Sequence, residues 1–452
     1  MTRQSNLSSG NTPHRVAVAD AARDGRVRRR VVEIYARAAG DWVNAPQYLQ
    51  RAFRGVRELR SHERRFLGEA IYGMIRWRRL LAFSVGEAEP GALQLYLAWL
   101  EREFPAAPAE AREALDAELR AAGVDRERLR HAGARVSSIA DERERVAVRE
   151  SYPDWIVARL ADERGLDEAA RLLAAMNRRA PLTARANRLK NTREELATRL
   201  QVEGVGSHPS ALAPDGLDLE THLNAYGLQA FKDGRFELQD AGSQAIAELV
   251  APPPRGLVLD ACAGAGGKTL ALGALLGNRG RLYATDVSER KLVELRERAR
   301  RAGLTNVQAL AVEEGSGKLP QAVAALAFDR VLADAPCSGL GVLRRNPEAR
   351  WRLQPAELDE LLAAQRGILD TYAPLVAAGG RLIYATCSVL AAENDGVFDA
   401  FLAAHPEFEA VPAKEILGTE RALQIGDGAR LRVLPHVHDT DGFFAAVARR
   451  RR

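Results

Sequence analysis

The sequence predicts an α/β protein: a Rossmann-like, doubly wound parallel sheet, preceded by an all-α domain and a small α+β module. Three observations carry that expectation. From Gly256 onward, short apolar runs alternate with amphipathic helical patterns. Residues 257–269 read LVLDACAGAGGKT, an apolar run, a glycine turn and the opening of a helix. Before Ala180 strand signals are nearly absent, and apolar residues recur at helical spacing instead.

Four parts follow: a polar, disordered start over 1–24, an all-α domain over 25–149, a connector helix with the α+β module over 150–235, and the sheet domain over 236–452. In 27–40, Val27, Val31, Val32, Ile34, Tyr35 and Ala38 form an apolar stripe, with arginines on the opposite face. The segment 60–79 is the strongest helix, with Ser61 as N-cap and Phe66, Leu67, Ala70, Ile71, Met74 and Ile75 as its buried face. Arg76, Arg78 and Arg79 at its end are candidates for RNA contact; a solvated helix face is the plainer alternative. Two further helices over 92–122 are broken by Pro105 and Pro108.

A connector helix runs over 152–179. The module then needs a strand over 182–187, a helix over 192–200 capped by Asn191, and a strand over 217–223. Residues 236–244 lead into a helix over 245–250, which Pro252, Pro253 and Pro254 stop. Candidate strands of the large sheet are 257–260, 281–285, 307–312, 329–333, 381–384, 408–411 and 442–447, with helices over 288–302, 356–377 and 393–404 between them. Such sheets bind ligands beyond the carboxyl ends of their strands. Asp260, Asp286, Asp334 and Cys387 all fall at or just past strand ends, on one rim.

A net charge of +5 permits nucleic-acid binding without proving it. Three cysteines, Cys262, Cys337 and Cys387, are too few and too odd for a disulfide framework, and fit a reducing cytoplasm. No spacing suggests a metal site, and no apolar run has the length of a membrane span.

The glycine turn admits several readings. A phosphate-cradling loop fails because Cys262 stands where a glycine is wanted, and a dinucleotide fingerprint fails at Thr269. An S-adenosylmethionine site wants an acid ending the second strand for the ribose hydroxyls, and Asp286 supplies it. A tight turn without a ligand is the plain alternative.

Two cysteines follow strand ends, in Asp334-Ala-Pro-Cys337-Ser-Gly339 and Tyr384-Ala-Thr-Cys387-Ser388. A lone cysteine is usually an inert small hydrophobe, but a stabilised thiolate is a nucleophile. A thiol beside a methyl donor suits a pyrimidine. Its C5 is a poor nucleophile until a thiolate adds at C6 and turns the ring into an enamine that can attack a sulfonium methyl. A carboxyl near N3 or the exocyclic amine stabilises the adduct; then the C5 proton leaves and the thiol is eliminated. This chemistry uses one cysteine and Asp334, and leaves the second cysteine a role in release.

DACAGAGGKT (260–269), Asp286, DAPCSGLG (334–341) and YATCSV (384–389), with RFELQDAGSQ (235–244) and DGFF (441–444), resemble the motifs of RNA 5-methylcytosine methyltransferases of the Sun/RsmB type. ERRFLGEAIYGMIRWRR (63–79) resembles the NusB-like RNA-binding domain joined to such enzymes. The resemblance covers nearly the whole chain beyond its first two dozen residues. It implies S-adenosylmethionine as cofactor and RNA as substrate, with small-subunit ribosomal RNA expected ahead of transfer RNA by analogy. It implies Cys387 as nucleophile, Cys337 as an aid to product release, and Asp334 as a contact to both cofactor and cytosine. Cys262, Ala263, Gly264, Ala265, Gly266, Gly267 and Lys268 would wrap the methionine end of the cofactor, and Asp286 its ribose.

Two positions depart from the family pattern. Ala265 replaces a proline, which loosens the free loop. Ser316 stands where an acid would meet the adenine, with Glu314 as a substitute. Arg344, Arg345, Arg350, Trp351 and Arg352 suit a splayed RNA strand, against a solvated loop as the plain alternative. A cytoplasmic monomer is expected, and an RNA-binding assembly protein without catalysis is the competing function.

Overall fold

The computed structural model describes residues 24–104, 109–221, 224–313, 315 and 318–452. The expected disorder before Asp24, the breaks at Pro105 and Pro108, and the adenine contacts of Glu314 and Ser316 lie outside the described residues. The chain forms two compact units, Met1–Arg179 with Leu343–Gln354, and Ala180–Val342 with Pro355–Arg452.

The first unit is helical. Asp24 caps the helix Gly25–Gly40 by accepting the Arg26 N–H at 2.7 Å. The long helix Ser61–Val85 buries the six residues its periodicity marks. Its cap lies one residue earlier than expected: the Glu63 carboxylate accepts the Arg60 N–H at 2.6 Å, so Ser61 is already helical. Gly86, at φ +91°, ends it in the left-handed conformation.

The helical unit also continues past the expected boundary at 149. The connector is two helices, Asp154–Arg164 and Leu166–Met176, because Gly165 at φ +81° turns the chain back and the second helix packs on the first.

The second unit carries two sheets. The smaller is antiparallel in the order β2-β3-β1-β4, from β1 (Thr183–Ala186), β2 (Ser207–Pro209), β3 (Gly216–Leu219) and β4 (Phe236–Leu238). The helix Arg193–Val202 packs beside it. Thr192 caps that helix, accepting the Glu195 N–H at 3.1 Å while Glu195 accepts the Thr192 N–H at 2.8 Å. The expected cap, Asn191, instead donates to the Arg235 carbonyl at 3.1 Å. β2 and β4 have three residues each, too short to carry an alternation pattern.

The larger sheet has the order β10-β12-β9-β8-β5-β6-β7, with β11 beside β12. Its strands are β5 (Leu257–Asp260), β6 (Arg281–Asp286), β7 (Val307–Ala311), β8 (Phe328–Asp334), β9 (Val376–Thr386), β10 (Phe408–Val411), β11 (Leu431–Val433) and β12 (Phe443–Arg450). The five strands β5 to β9 are parallel, whereas β12 runs antiparallel between β9 and β10. The sheet is therefore mixed, not wholly parallel. β9 begins inside the predicted helix 356–377, because the helix ends at Tyr372 and Pro374 bars its continuation.

Successive side chains alternate between two cores. Leu332, Ile383 and Ala385 enter one with Ile246 and Leu272; Val331, Ala333, Leu382 and Tyr384 enter the other with Leu369 and Phe398. Both faces are covered, which the near-continuous apolar runs require. The parallel strands bring Asp260, Asp286, Asp334 and Thr386 to one rim.

Candidate functional site

β5 ends at Asp260, which is buried. Its Oδ2 accepts the Thr269 hydroxyl at 2.7 Å, and its Oδ1 has no partner. Burial, reinforced by the charges of Asp334 and Asp286, pushes this carboxyl up to about 7. The chain then turns into the helix Gly267–Leu275. Gly266 sits at φ +89°, and a Cβ there would lie 2.7 Å from Leu295, so the turn needs glycine. Gly264, at φ +54°, has no heavy atom within 4 Å of the corresponding point.

Asp286, ending β6, accepts the Gly264 N–H and the Ser288 N–H, both at 2.8 Å. The Ala263 N–H reaches the Thr285 carbonyl at 2.9 Å. The first two strand ends are thus stitched together around the glycine turn. The orphaned Asp260 oxygen, the open edge at Gly264 and the Asp286 carboxylate fit a cationic sulfonium nucleoside, with loop and strand-end donors in reach. Burial, with the charges of Asp334, Asp260 and Asp286, holds the Cys262 thiol far above its ordinary range.

Two side chains at this turn do more than the sequence reading gave them. The Ala265 carbonyl accepts Arg298 Nη1 at 2.7 Å, and Arg298 Nη2 is held by Glu237 of β4 at 3.0 Å. A side-chain strut therefore fixes the residue that lacks a proline ring. Lys268 extends to Asp334, with Nζ 2.7 Å from Oδ2, and lies 5.5 Å from the Phe443 ring centre. Burial opposes its charge, but the Asp334 carboxylate overrides that and leaves the ammonium favoured.

The two rim cysteines meet. Cys337 Sγ and Cys387 Sγ are 3.4 Å apart, and both residues are partly exposed. The Gly341 N–H donates to the Cys387 carbonyl at 2.9 Å, and the Gly442 N–H to the Gly341 carbonyl at 2.8 Å. A Cβ on Gly341 would lie 2.1 Å from the Gly442 oxygen. The loops of DAPCSGLG, YATCSV and DGFF therefore close on one another through glycine. The Cys337 thiol is driven well up by its hydrogen bond to Cys387, by burial, and by the neighbouring Glu393 carboxylate.

The arginine cluster is not one surface. Arg350 is fully buried in the helical unit, its guanidinium 3.9 Å from the Tyr152 ring centre and donating to Asn177 Oδ1 at 2.9 Å. Arg344 is buried and donates to the Arg179 carbonyl at 2.7 Å. Trp351 donates from Nε1 to the Ile75 carbonyl at 2.8 Å. These three anchor the segment Leu343–Gln354 in the helical unit, and the expected RNA contact through Arg344 and Arg350 is corrected to packing. Arg345 is exposed and Arg352 partly so. Arg76 and Arg79 likewise serve their own unit, donating to the Arg344 carbonyl at 2.9 Å and the Tyr152 carbonyl at 2.7 Å.

Among the described residues no group of three or more His, Cys, Asp or Glu is placed to hold a metal ion, and no helix is long and apolar enough to cross a membrane.

Comparison with known proteins agrees with this geometry. The model of the 16S rRNA methyltransferase RsmB/F family matches residues 247–449, and that of the RsmF/B-like ferredoxin-like domain matches 152–226. A probable ribosomal RNA small subunit methyltransferase B of Bacillus subtilis (strain 168) is 35% identical over 314 residues, 70% of each chain. One from Synechocystis sp. is 33% identical over 409 residues, 85% of this chain and 90% of that one. The crystal structure of PH0851 is similar at TM-score 0.75 and 27% identity, covering 94% of this chain and 98% of that one. With the glycine turn, the two Cys-Ser loops and these matches together, the chain belongs to the RsmB/F family of 16S rRNA methyltransferases.

Proposed function

We propose that this protein methylates C5 of a cytosine in small-subunit ribosomal RNA, through a transient bond between Cys387 Sγ and the ring C6. The sulfur pair at 3.4 Å, beside the Lys268–Asp334 ion pair, is the observation that supports it most. Bound S-adenosylmethionine supplies an electrophilic methyl group. Asp286 would hold its ribose, and the turn from Cys262 to Lys268 its methionine end.

The chain's own groups divide the remaining work. Cys387 adds to C6 as thiolate, while Cys337 keeps the proton and steadies that thiolate by donating to it. Asp334, oriented by Lys268, accepts from the exocyclic amine of the cytosine and so positions the ring, and the Lys268 ammonium beside it offsets the negative charge that addition places there. C5 then carries the electron pair that takes the methyl group. Once Cys387 is bonded to C6, Cys337 gives its proton to water; the Cys337 thiolate then takes the C5 proton, the C6–S bond breaks, and Cys387 leaves as thiolate with the proton again on Cys337. The cytosine must leave any base stack to reach these groups. The helical unit, NusB-like in this reading, holds surrounding RNA by shape and charge.

The test is transfer of labelled methyl groups from S-adenosylmethionine to 16S RNA, with bisulfite mapping of the product. One 5-methylcytosine that depends on Cys387 is expected. Label in another base, or RNA binding without transfer, contradicts the proposal.

A further inference from the structure

Glu393 has no solvent exposure, yet four hydrogen-bond donors converge on its carboxylate. Oε1 accepts the Ser338 N–H at 2.8 Å and Gln365 Nε2 at 3.0 Å. Oε2 accepts the Ser338 hydroxyl at 2.5 Å and also the Ser388 hydroxyl. Ser338 directly follows Cys337, and Ser388 directly follows Cys387. Each cysteine loop therefore grips the same carboxylate through the residue next to its sulfur.

The grip is reinforced on both sides. Gln365 Nε2 also donates to the Pro336 carbonyl at 3.0 Å, immediately before Cys337. The Leu390 N–H donates to Ser388 Oγ at 3.1 Å. Next to Glu393, Asn394 donates from Nδ2 to the Ser388 carbonyl at 3.1 Å and accepts the Thr386 hydroxyl at 2.6 Å. These bonds lead to the flanks of the two cysteines. A group this buried, with its acceptor capacity taken by two loops, has no need to touch RNA or cofactor.

We propose that Glu393 is a positioning residue for methyl transfer: its carboxylate yokes the two Cys-Ser pairs so that the sulfurs of Cys337 and Cys387 stay in register. The proposal rests on the cysteine reading given above. Removing the yoke strands buried donors on both loops. Loops that shift by about 1 Å at reacting atoms lose on the order of a hundredfold in rate. The cofactor turn, held by Asp286 and Arg298, is not bonded to Glu393 and keeps its affinity.

The experiment compares full-length wild type, Glu393→Ala and Glu393→Gln. It reads kcat and KM with 16S RNA, calorimetric affinity for S-adenosylmethionine, and the yield of denaturation-resistant protein–RNA complex in a Cys337→Ala background. Glu393→Ala is expected to lose about a hundredfold in kcat, with cofactor affinity and RNA KM unchanged and complex formation slowed. Glu393→Gln keeps the shape and one acceptor oxygen, and the serine hydroxyls can rotate to accept from its amide; it is expected to recover most of the rate.

A Glu393→Ala enzyme with wild-type kcat overturns the proposal. So does a Glu393→Gln enzyme as slow as Glu393→Ala with cofactor binding intact, since the charge and not the geometry would then matter. Should Glu393→Ala fail to fold, the Ser338→Ala/Ser388→Ala double variant decides: lost kcat with retained cofactor affinity supports the yoke, and an unchanged kcat overturns it. A Cys337→Ala enzyme that binds RNA and cofactor yet never forms the complex, while the wild type methylates, overturns the cysteine reading, and this proposal with it.

Discussion

Asp334 stands in register with Ala385 across the parallel pair β8 and β9. That one pairing brings Cys337 and Cys387, fifty residues apart in sequence, to a sulfur separation of 3.4 Å. Each cysteine lies only two or three residues beyond the paired positions, so the strand register alone sets two loops side by side. The chemistry proposed here is a consequence of that adjacency, and the first prediction tests its two halves separately.

Cys387→Ala is expected to abolish methyl transfer while leaving cofactor binding intact. Cys337→Ala is expected to form the ring adduct but release it slowly, leaving a protein–RNA band that survives denaturation on a gel. Residual transfer by Cys387→Ala contradicts the assignment, and so does a Cys337→Ala enzyme that turns over freely.

Arg298 braces the cofactor turn at Ala265. Arg298→Ala removes a charge-assisted hydrogen bond, and S-adenosylmethionine affinity measured by calorimetry is expected to fall about tenfold. Adding Ala265→Pro, which fixes φ and narrows the free loop, is expected to restore part of that loss. Unchanged affinity in Arg298→Ala would show that the strut does not matter for the cofactor.

Asp260 gives a pH signature. Its folded-state value of about 7 lies above the ordinary 3.8. Between those values the folded chain holds one proton more than the unfolded chain, so stability falls as pH rises through the window and levels off above it. The full effect is at most about 4 kcal/mol. Asp260→Asn stays neutral and still accepts from Thr269, so its melting temperature is expected to gain on wild type between pH 5 and about 7.5. A constant difference across that range contradicts the burial argument.

Arg350 is a packing residue in the helical unit, stacked on Tyr152. Arg350→Ala is expected to cost about 2–4 kcal/mol in thermal or denaturant unfolding, and Arg350→Met, which keeps the volume without the charge, appreciably less. The salt dependence of RNA binding is expected to keep its slope in Arg350→Met, because no phosphate contact is lost. A flatter slope would return Arg350 to the RNA surface.

The strand ends and the glycine turn were legible in the sequence because both leave local signs: apolar runs closed by an acid, and glycines where the backbone must take positive φ. Asp260, Asp286 and Asp334 fall on the rim accordingly. The antiparallel β12 was not legible as such, since a buried strand reads the same in either direction. Glu393 and Arg298 were missed because each looks like an ordinary residue of a helix or its approach, and their partners lie far away in the chain. The repeated Cys-Ser dipeptide was the available sign of Glu393. Arg344 and Arg350 misled because an arginine beside an aromatic reads alike on an RNA surface and in a helical core; only burial separates the two.

Mass-spectrometric mapping of the protein–RNA bond in the Cys337→Ala enzyme, after digestion of both partners, tests the central claim most directly. A cytidine-derived mass on the peptide containing Cys387, and on no other, is the expected result. The same mass on another residue, or no bonded peptide while methyl transfer proceeds, contradicts it.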